Sequence, residues 1–393
     1  MNLKCAHQLA FSMFSILLWG GQTYGQSSTQ TNGTETNNII TAVPFLLITP
    51  DARTAAMGDA GVAVSGDVNS ASNNPAKLAF LDQPYGFSLS YSPWLKSLIP
   101  DINLAYVSGF YKLDDRNTIA ASLRYFSLGQ IQLTDNSQQD LGIASPSELA
   151  FDVSFARKFG NEFSLGSSLR YIYSNLTSGQ VSAGIANSGG QTVAVDVSGL
   201  YKTETILFGK SAILAAGANL SNIGPKLSYA NGKKAYFLPT NLKLGGSSTI
   251  NIDDFNQFTF ALDFNKLLVP TQPIYDSNNN IVSGKDPDRS VPAGIFGSFS
   301  DAPGGAKEEF REVGISTGIE YWYSQQFALR GGYNYQSPQK GDSRYITLGA
   351  GLKYNVFNID FAYLIANTQT SPLANTLRFS LLFNFGDKNI ARK

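Results

Sequence analysis

Residues 148–159 read "ELAFDVSFARKF". In an extended chain Leu149, Phe151, Val153 and Phe155 fall on one face, and Ala150, Asp152, Ser154 and Ala156 on the other. The large apolar side chains are thus separated from the one charge at the centre of the stretch. A secreted β-sandwich or propeller also alternates, with its apolar face turned to a core. In a membrane barrel the apolar face meets lipid and the lumen takes the charge. The choice between them rests on whether the rest of the chain repeats the pattern and keeps its charges in phase.

From Tyr85 onward, fourteen segments of about ten residues alternate in this way. They cover 85–95, 102–113, 118–133, 148–159, 163–175, 192–202, 211–223, 240–252, 258–268, 312–324, 326–336, 344–355, 356–367 and 376–386. Their charges keep phase. In "VFNIDFAYLIAN" (356–367) Asp360 opposes Phe357, Ile359, Phe361 and Tyr363, and in "TLRFSLLFNFG" (376–386) Arg378 opposes Phe379, Leu381 and Phe383. Arg124, Arg170, Asp196, Asp263, Glu320 and Lys353 behave alike. A Lys or Arg facing lipid at mid-membrane costs roughly 2–4 kcal/mol, so all of these are assigned to the lumen. The expected fold is all-β, a 14-stranded antiparallel transmembrane β-barrel over 85–386.

Connection lengths alternate too. "DDRN" (114–117), "GNE" (160–162), the turn near 325 and the junction at Asn355 are tight. The stretches 134–147, 176–191 and 368–374 are longer, and the longest runs over about 269–311. Outer-membrane barrels have short periplasmic turns and longer outer loops. The expected location is therefore the Gram-negative outer membrane, embedded in its lipid bilayer with both termini periplasmic.

Ahead of the barrel, residues 1–25 have the form of a secretory signal peptide: Lys4, an apolar run from Leu9 to Trp19, then Thr23 and Gly25 before the cut. A polar periplasmic leader is expected over 26–43 and a periplasmic tail over 387–393. Between leader and barrel lies 44–84, containing "MGDAGVAVSGDVNSASNNPAKLAF" (57–80). Its small residues suit close packing, and Pro75 holds Asn74 extended before a short helical turn. We read 44–84 as an N-terminal plug in the lumen.

The only Cys (Cys5) and the only His (His7) lie in the signal segment. The remainder lacks the side chains for disulfides, thiolate nucleophiles, Cys/His zinc sites or a Ser-His relay. No catalytic residue, cofactor or metal is expected. The 29 basic residues, less Lys4, leave 28 against 29 acidic ones, a formal charge of about −1 with no basic stripe for nucleic acid. Gly-rich 178–191 lacks the GxxxxGK[ST] pattern of a phosphate loop. Asp263 and Glu320 are the candidates for a lumenal proton relay, although structural pairing is the commoner role of such charges.

Several stretches resemble one family: 44–80, "SPWLKSLIPDINLAY" (92–106), "YFSLGQIQLTD" (125–135), "SLRYIYSN" (168–175), "GSFSDAPGG" (297–305) and "SPLANTLRFSLLFNFG" (371–386). In this order they resemble the PorV family of type IX secretion barrels, itself similar to FadL-like fatty acid transporters. The Asn-Pro-Ala motif alone indicates only the wider FadL-like group. The resemblance implies fourteen strands and an N-terminal plug. It also implies partners: the large type IX translocon barrel, secreted cargo carrying C-terminal signal domains, and the surface attachment complex. The alternative it leaves is a FadL-type channel for passive uptake of hydrophobic solutes. Two segments are candidate sites. Ile295, Phe296 and Phe299 in the longest connection form a candidate partner-binding surface, and Asn74, Pro75 and Ala76 a candidate gate or anchor.

Overall fold

A computed structural model describes residues 37–93, 101–134, 140–176, 181–182, 185–186, 189–229, 234–366 and 376–386. The expected signal peptide, residues 26–36 of the leader and the tail 387–393 lie outside the described residues. Fourteen antiparallel strands close into a barrel. They are β1 Tyr85–Pro93, β2 Ile102–Lys112, β3 Asn117–Leu128, β4 Ser147–Phe159, β5 Phe163–Asn175, β6 Gly190–Leu207 and β7 Lys210–Ile223. The second half comprises β8 Asn241–Asn251, β9 Asn256–Leu267, β10 Val313–Tyr323, β11 Phe327–Tyr335, β12 Tyr345–Tyr354, β13 Phe357–Ala366 and β14 Thr376–Phe385. Each strand pairs with its sequence neighbours, and β1 pairs with β14, from Tyr85↔Phe385 to Tyr91↔Phe379. That closure leaves no sheet edge to be desolvated in lipid. Stacked rings mark the seam, Phe87 on Phe383 at 4.4 Å and Tyr85 on Phe385 at 5.2 Å between centroids.

The alternation has the sense the charges required. Phe151, Val153 and Phe155 are exposed on the outside, whereas Asp152 and Ser154 are buried inside. Arg124, Arg170, Asp196, Asp263, Glu320, Asp360 and Arg378 are likewise buried. Two strand limits differ from the sequence reading. The third strand stops at Leu128, because Gly129 turns the chain with φ +80° and 131–134 pairs instead with 140–144 in a hairpin of its own. The sixth extends to Leu207, its last residues pairing with β7 down to Leu207↔Lys210.

The connections at one end are short: 113–116, 160–162, 208–209, 252–255, 324–326 and 355–356. Those at the other end are longer, up to 268–312. The polypeptide before β1 runs through the lumen from the long-connection end to the short-turn end. Residues 37–43 of the leader expected over 26–43 are among those described. Asn37–Val43 lie at the long-connection mouth, opposite the end where β1 begins and β14 finishes. Asn37 donates its backbone N–H to Gln339 O at 3.1 Å and its Nδ2 to Gln272 O at 3.0 Å. The physical reason is apolar burial: Ala42, Val43 and Phe45 cluster with Ile102, Leu104, Phe126 and Leu238 at that mouth.

Candidate functional site

Within the lumen the inner segment folds as short helical turns, Pro44–Leu47, Ala52–Ala56, Val68–Ser72 and Pro75–Phe80. The last three are each started by a polar cap. The Asp51 carboxylate accepts from Thr54 N, Asp67 from Asn69 N, and Asn74 from Ala76 N. Turns this short are marginal alone, so the barrel wall must hold them.

The wall does so first by lacking side chains. A Cβ on Gly332 or Gly318 would strike the backbone of Met57 and Gly58, and one on Gly166 would strike Pro75 and Ala76. The inner backbone therefore lies directly on the sheet, close enough to exchange hydrogen bonds with it. Thr347 Oγ1 donates to Ala56 O at 2.8 Å, and Gly58 N donates to Thr347 Oγ1 at 2.9 Å. Ser247 Oγ donates to Ala63 O at 2.8 Å.

Charge supplies the second hold. Arg53 donates from Nε and Nη2 to the two Glu320 oxygens at 2.9 and 2.8 Å. Arg330 donates to Glu320 and to Asp360, both at 2.6 Å. Arg53 also bridges to Asp67 at 3.1 Å. A second lattice joins Arg170 to Asp152 at 2.5 Å and to Asp196 at 2.9 Å. Asp263 Oδ2 accepts from Gly61 N at 2.7 Å and Val62 N at 2.9 Å. Asp263 is thus engaged in fixed hydrogen bonds to the backbone of the inner segment, and Glu320 to Arg53 of that segment and Arg330 of β11. The sequence contained a partial signal for these pairs. Glu320 and Arg330 stand equally far from the turn 324–326, as do Asp152 and Arg170 from the turn 160–162, and each pair is directly opposite in the ladder.

Asn74, Pro75 and Ala76 lie at the β5–β6 wall. Asn74 is extended at φ −152° and donates from Nδ2 to Val62 O at 2.7 Å and Gly199 O at 3.2 Å. Ala76 N donates to Ser198 Oγ at 3.0 Å, and Ser164 Oγ donates to Ala76 O at 2.8 Å. Lys77 reaches back to Gly61 O at 2.8 Å.

At the long-connection mouth, Ile295, Phe296 and Phe299 belong to or follow the helix Val291–Gly297. Phe296 is 79% exposed and Phe299 51%, while Ile295 is half-buried. The sequence reading missed Phe310, 79% exposed on the helix Ala306–Arg311. Its position in "KEEFRE" (307–312) carries no run of apolar neighbours to mark it. The base of this connection is tied down. Lys266 bridges Glu312 at 2.7 Å and Glu309 at 3.0 Å, Lys340 bridges Glu308 at 2.6 Å and Glu312 at 2.9 Å, and Thr271 Oγ1 donates to Glu312 at 2.6 Å.

The cavities of the lumen are polar. The largest described, about 340 Å³, lies toward the short-turn end and is lined by Arg53, Asp67, Asp82, Trp322, Arg330 and Asp360 among others. Two near the other mouth, about 160 and 250 Å³, share Glu312 and Gln336. Among the described residues no group of His, Cys, Asp and Glu is arranged to hold a metal ion.

This architecture is shared with solved structures. The P. putida toluene transporter TodX has a TM-score of 0.50 and 14% identity, over 85% of this chain and 98% of that one. A TodX deltaS2S3 mutant, titled a monoaromatic hydrocarbon channel, gives 0.50 and 15%, over 85% and 99%. A Pseudomonas aeruginosa FadL homologue gives 0.45 and 12%, over 89% and 100%. At these identities the likeness is one of fold alone, and the class it defines is that of the closed antiparallel β-barrel. No match was found among curated proteins. Residues 30–274 match the family described as type IX secretion system protein PorV. The chain belongs to the PorV family, and is an outer-membrane component of type IX secretion.

Proposed function

We propose that this barrel binds secreted cargo carrying a C-terminal signal domain at the translocon and passes it to the surface attachment complex. Contact is made through the long connections, which face outward, while the short turns face the periplasm. The observation that carries this reading is the display of Phe296, Phe299 and Phe310 on the longest connection, above a base held by Lys266, Lys340 and Glu312. Exposed aromatics on a braced scaffold are the usual anchors of a protein interface. The lumen, by contrast, is occupied by the inner segment.

A channel for hydrophobic solutes calls for an apolar pocket, and the described cavities are lined by charges and amides. In this reading 44–84 is a stationary plug, Asn74–Ala76 is an anchor, and the barrel performs no catalysis. The test is the double variant Phe296→Ser/Phe299→Ser, with cargo release from the translocon measured in cells. Release should fall severalfold while barrel abundance holds, and unchanged release would remove these residues from the interface. Uptake of a hydrophobic solute into liposomes bearing the barrel would instead favour the channel.

A further inference from the structure

We propose that the β6–β7 hairpin is a docking edge for a periplasmic protein, which adds one extended strand carrying a basic and an apolar side chain two positions apart. This rests on the reading that the short turns face the periplasm. At that end β6 outruns its neighbour. Its last pair with β5 is Tyr201↔Phe163, and it continues for six residues to Leu207, paired only with β7. β4 and β12 pass the last paired residue of β3 and β11 by two, from Arg157 to Phe159 and from Leu352 to Tyr354. Six residues of strand reach about 20 Å. One side of that reach is an open sheet edge.

The register identifies the open groups. Phe208 and Gly209 form a two-residue turn with φ 52° and 74°, so Leu207 and Lys210 exchange both backbone bonds, and Thr205 and Thr203 follow in alternation. The N–H and C=O groups of Glu204 and Ile206 therefore point away from β7. Lys202 N points the same way and is the last to find a partner, Glu162 O at 2.7 Å. Beyond it, neither Glu204 nor Ile206 forms a backbone bond on that side among the described residues. Free edges are usually blunted by proline or a bulge, and neither interrupts the stretch from Val197 to Leu207.

The side chains say what fits the edge. Ile206 lies on the same, lumenal face of the strand as Leu200 and Lys202, so lipid does not cover it, and it is 75% exposed. Phe208 at the tip is 92% exposed, more than any other large apolar residue described. It holds a left-handed conformation that favours Gly or Asn, so the ring is displayed against the local preference. Two carboxylates border the opening. Glu204 is exposed on the edge strand, and Glu162 stands at its inner end, accepting from Tyr201 Oη at 3.1 Å and Thr203 Oγ1 at 2.7 Å. The nearby cations are directed elsewhere: Lys202 Nζ sits 4.3 Å from the Phe80 ring centre, and Lys210 is on β7, across the hairpin. An incoming strand meets backbone donors and acceptors, an apolar side chain and two negative charges, which selects a basic and apolar strand over an acidic one.

The test uses the full-length barrel in lipid nanodiscs and a fluorescent synthetic peptide with threonine at odd positions and valine and lysine alternating at even ones. Anisotropy should show saturable binding, weakened at least tenfold when the three central peptide residues are N-methylated, which closes both peptide edges. Ile206→Pro removes one open N–H without touching the Leu207↔Lys210 pair and should cost a similar factor. Glu204→Lys, a surface change, should weaken binding severalfold and should bind better a peptide with glutamate in place of lysine. Equal binding of the N-methylated peptide, or binding that neither variant alters, would overturn the proposal. So would concentration-dependent pairing of two barrels through this hairpin in place of peptide binding. Lys210→Cys adds one thiol to a chain whose only cysteine, Cys5, lies in the signal segment. An environment-sensitive dye there should report water before peptide is added, and an apolar signal from the bilayer alone would overturn the docking role. In whole cells that thiol should react with a membrane-impermeant maleimide only after the outer membrane is opened. Reaction in intact cells would overturn the periplasmic source of the strand and the orientation reading, separately from the peptide result.

Discussion

Arg53 of the inner segment and Glu320 of β10 meet through two hydrogen bonds of 2.9 and 2.8 Å, with Arg330 donating to the same carboxylate at 2.6 Å. Both ends are buried, with Arg53 8% and Glu320 1% exposed. Removing one member leaves the other with a single ion pair, Glu320 with Arg330 or Arg53 with Asp67, so the cost falls at the lower end of the about 3–5 kcal/mol of a fully broken buried pair. Glu320→Gln and Arg53→Met should each destabilise by that order, and the double variant by much less than the sum. Urea unfolding of the barrel in lipid vesicles measures the cycle. Additive losses would mean that the two side chains act independently.

Adjacent glycines of β11 separate the lumen face from the lipid face. A Cβ at Gly332 would meet the backbone of Met57 and Gly58, whereas at Gly331 the nearest atom would be Ile319 Cγ1 at 3.6 Å. Gly332→Ala should therefore cost about 1–3 kcal/mol of overpacking, and Gly331→Ala should be close to neutral. Equal effects in the same unfolding assay would show that the inner segment does not rest on this strand.

The anchor reading of Asn74 makes a conductance prediction. Asn74→Ala removes the cap on Ala76 and the donors to Val62 O and Gly199 O, a loss of about 1–3 kcal/mol. The lumen should stay closed in planar bilayers, because the Arg53–Glu320 and Asp263 attachments are untouched. Deleting 57–80 should open it. Frequent channel openings in Asn74→Ala would make this residue a gate.

Phe310 should behave like Phe296 and Phe299. Phe310→Ser should reduce cargo capture in a pull-down from envelope extracts and leave heat-modifiable gel migration unchanged. Glu312→Gln, which weakens the base of the same connection, should lower protease resistance there as well as capture. Capture unaffected by Phe310→Ser would restrict the surface to the helix 291–297.

The strands were legible because period-two alternation is a local property and lipid enforces it on every segment. Failures fell where local pattern and tertiary demand part company. "GQIQL" (129–133) alternates as well as the strand before it, yet Gly129 turns it out of the barrel. Nothing local in the sequence set the path of Asn37–Phe45, where burial of Ala42, Val43 and Phe45 seats the chain at the long-connection mouth. Phe310 has charged neighbours in sequence and stands exposed only because its helix presents it outward.

The sequence by itself determined the barrel, its strand count and the lumenal side of the strand charges, and it held only a partial signal, in their spacing about short turns, for the pairs Glu320–Arg330 and Asp152–Arg170. Only the tertiary structure decided the direction in which the inner segment threads the lumen and the pairing of Arg53 with Glu320. Arg53 and Glu320 are 267 residues apart. No local periodicity relates them, because closure and the path of the inner segment alone bring one point of the wall to one point of the chain inside it.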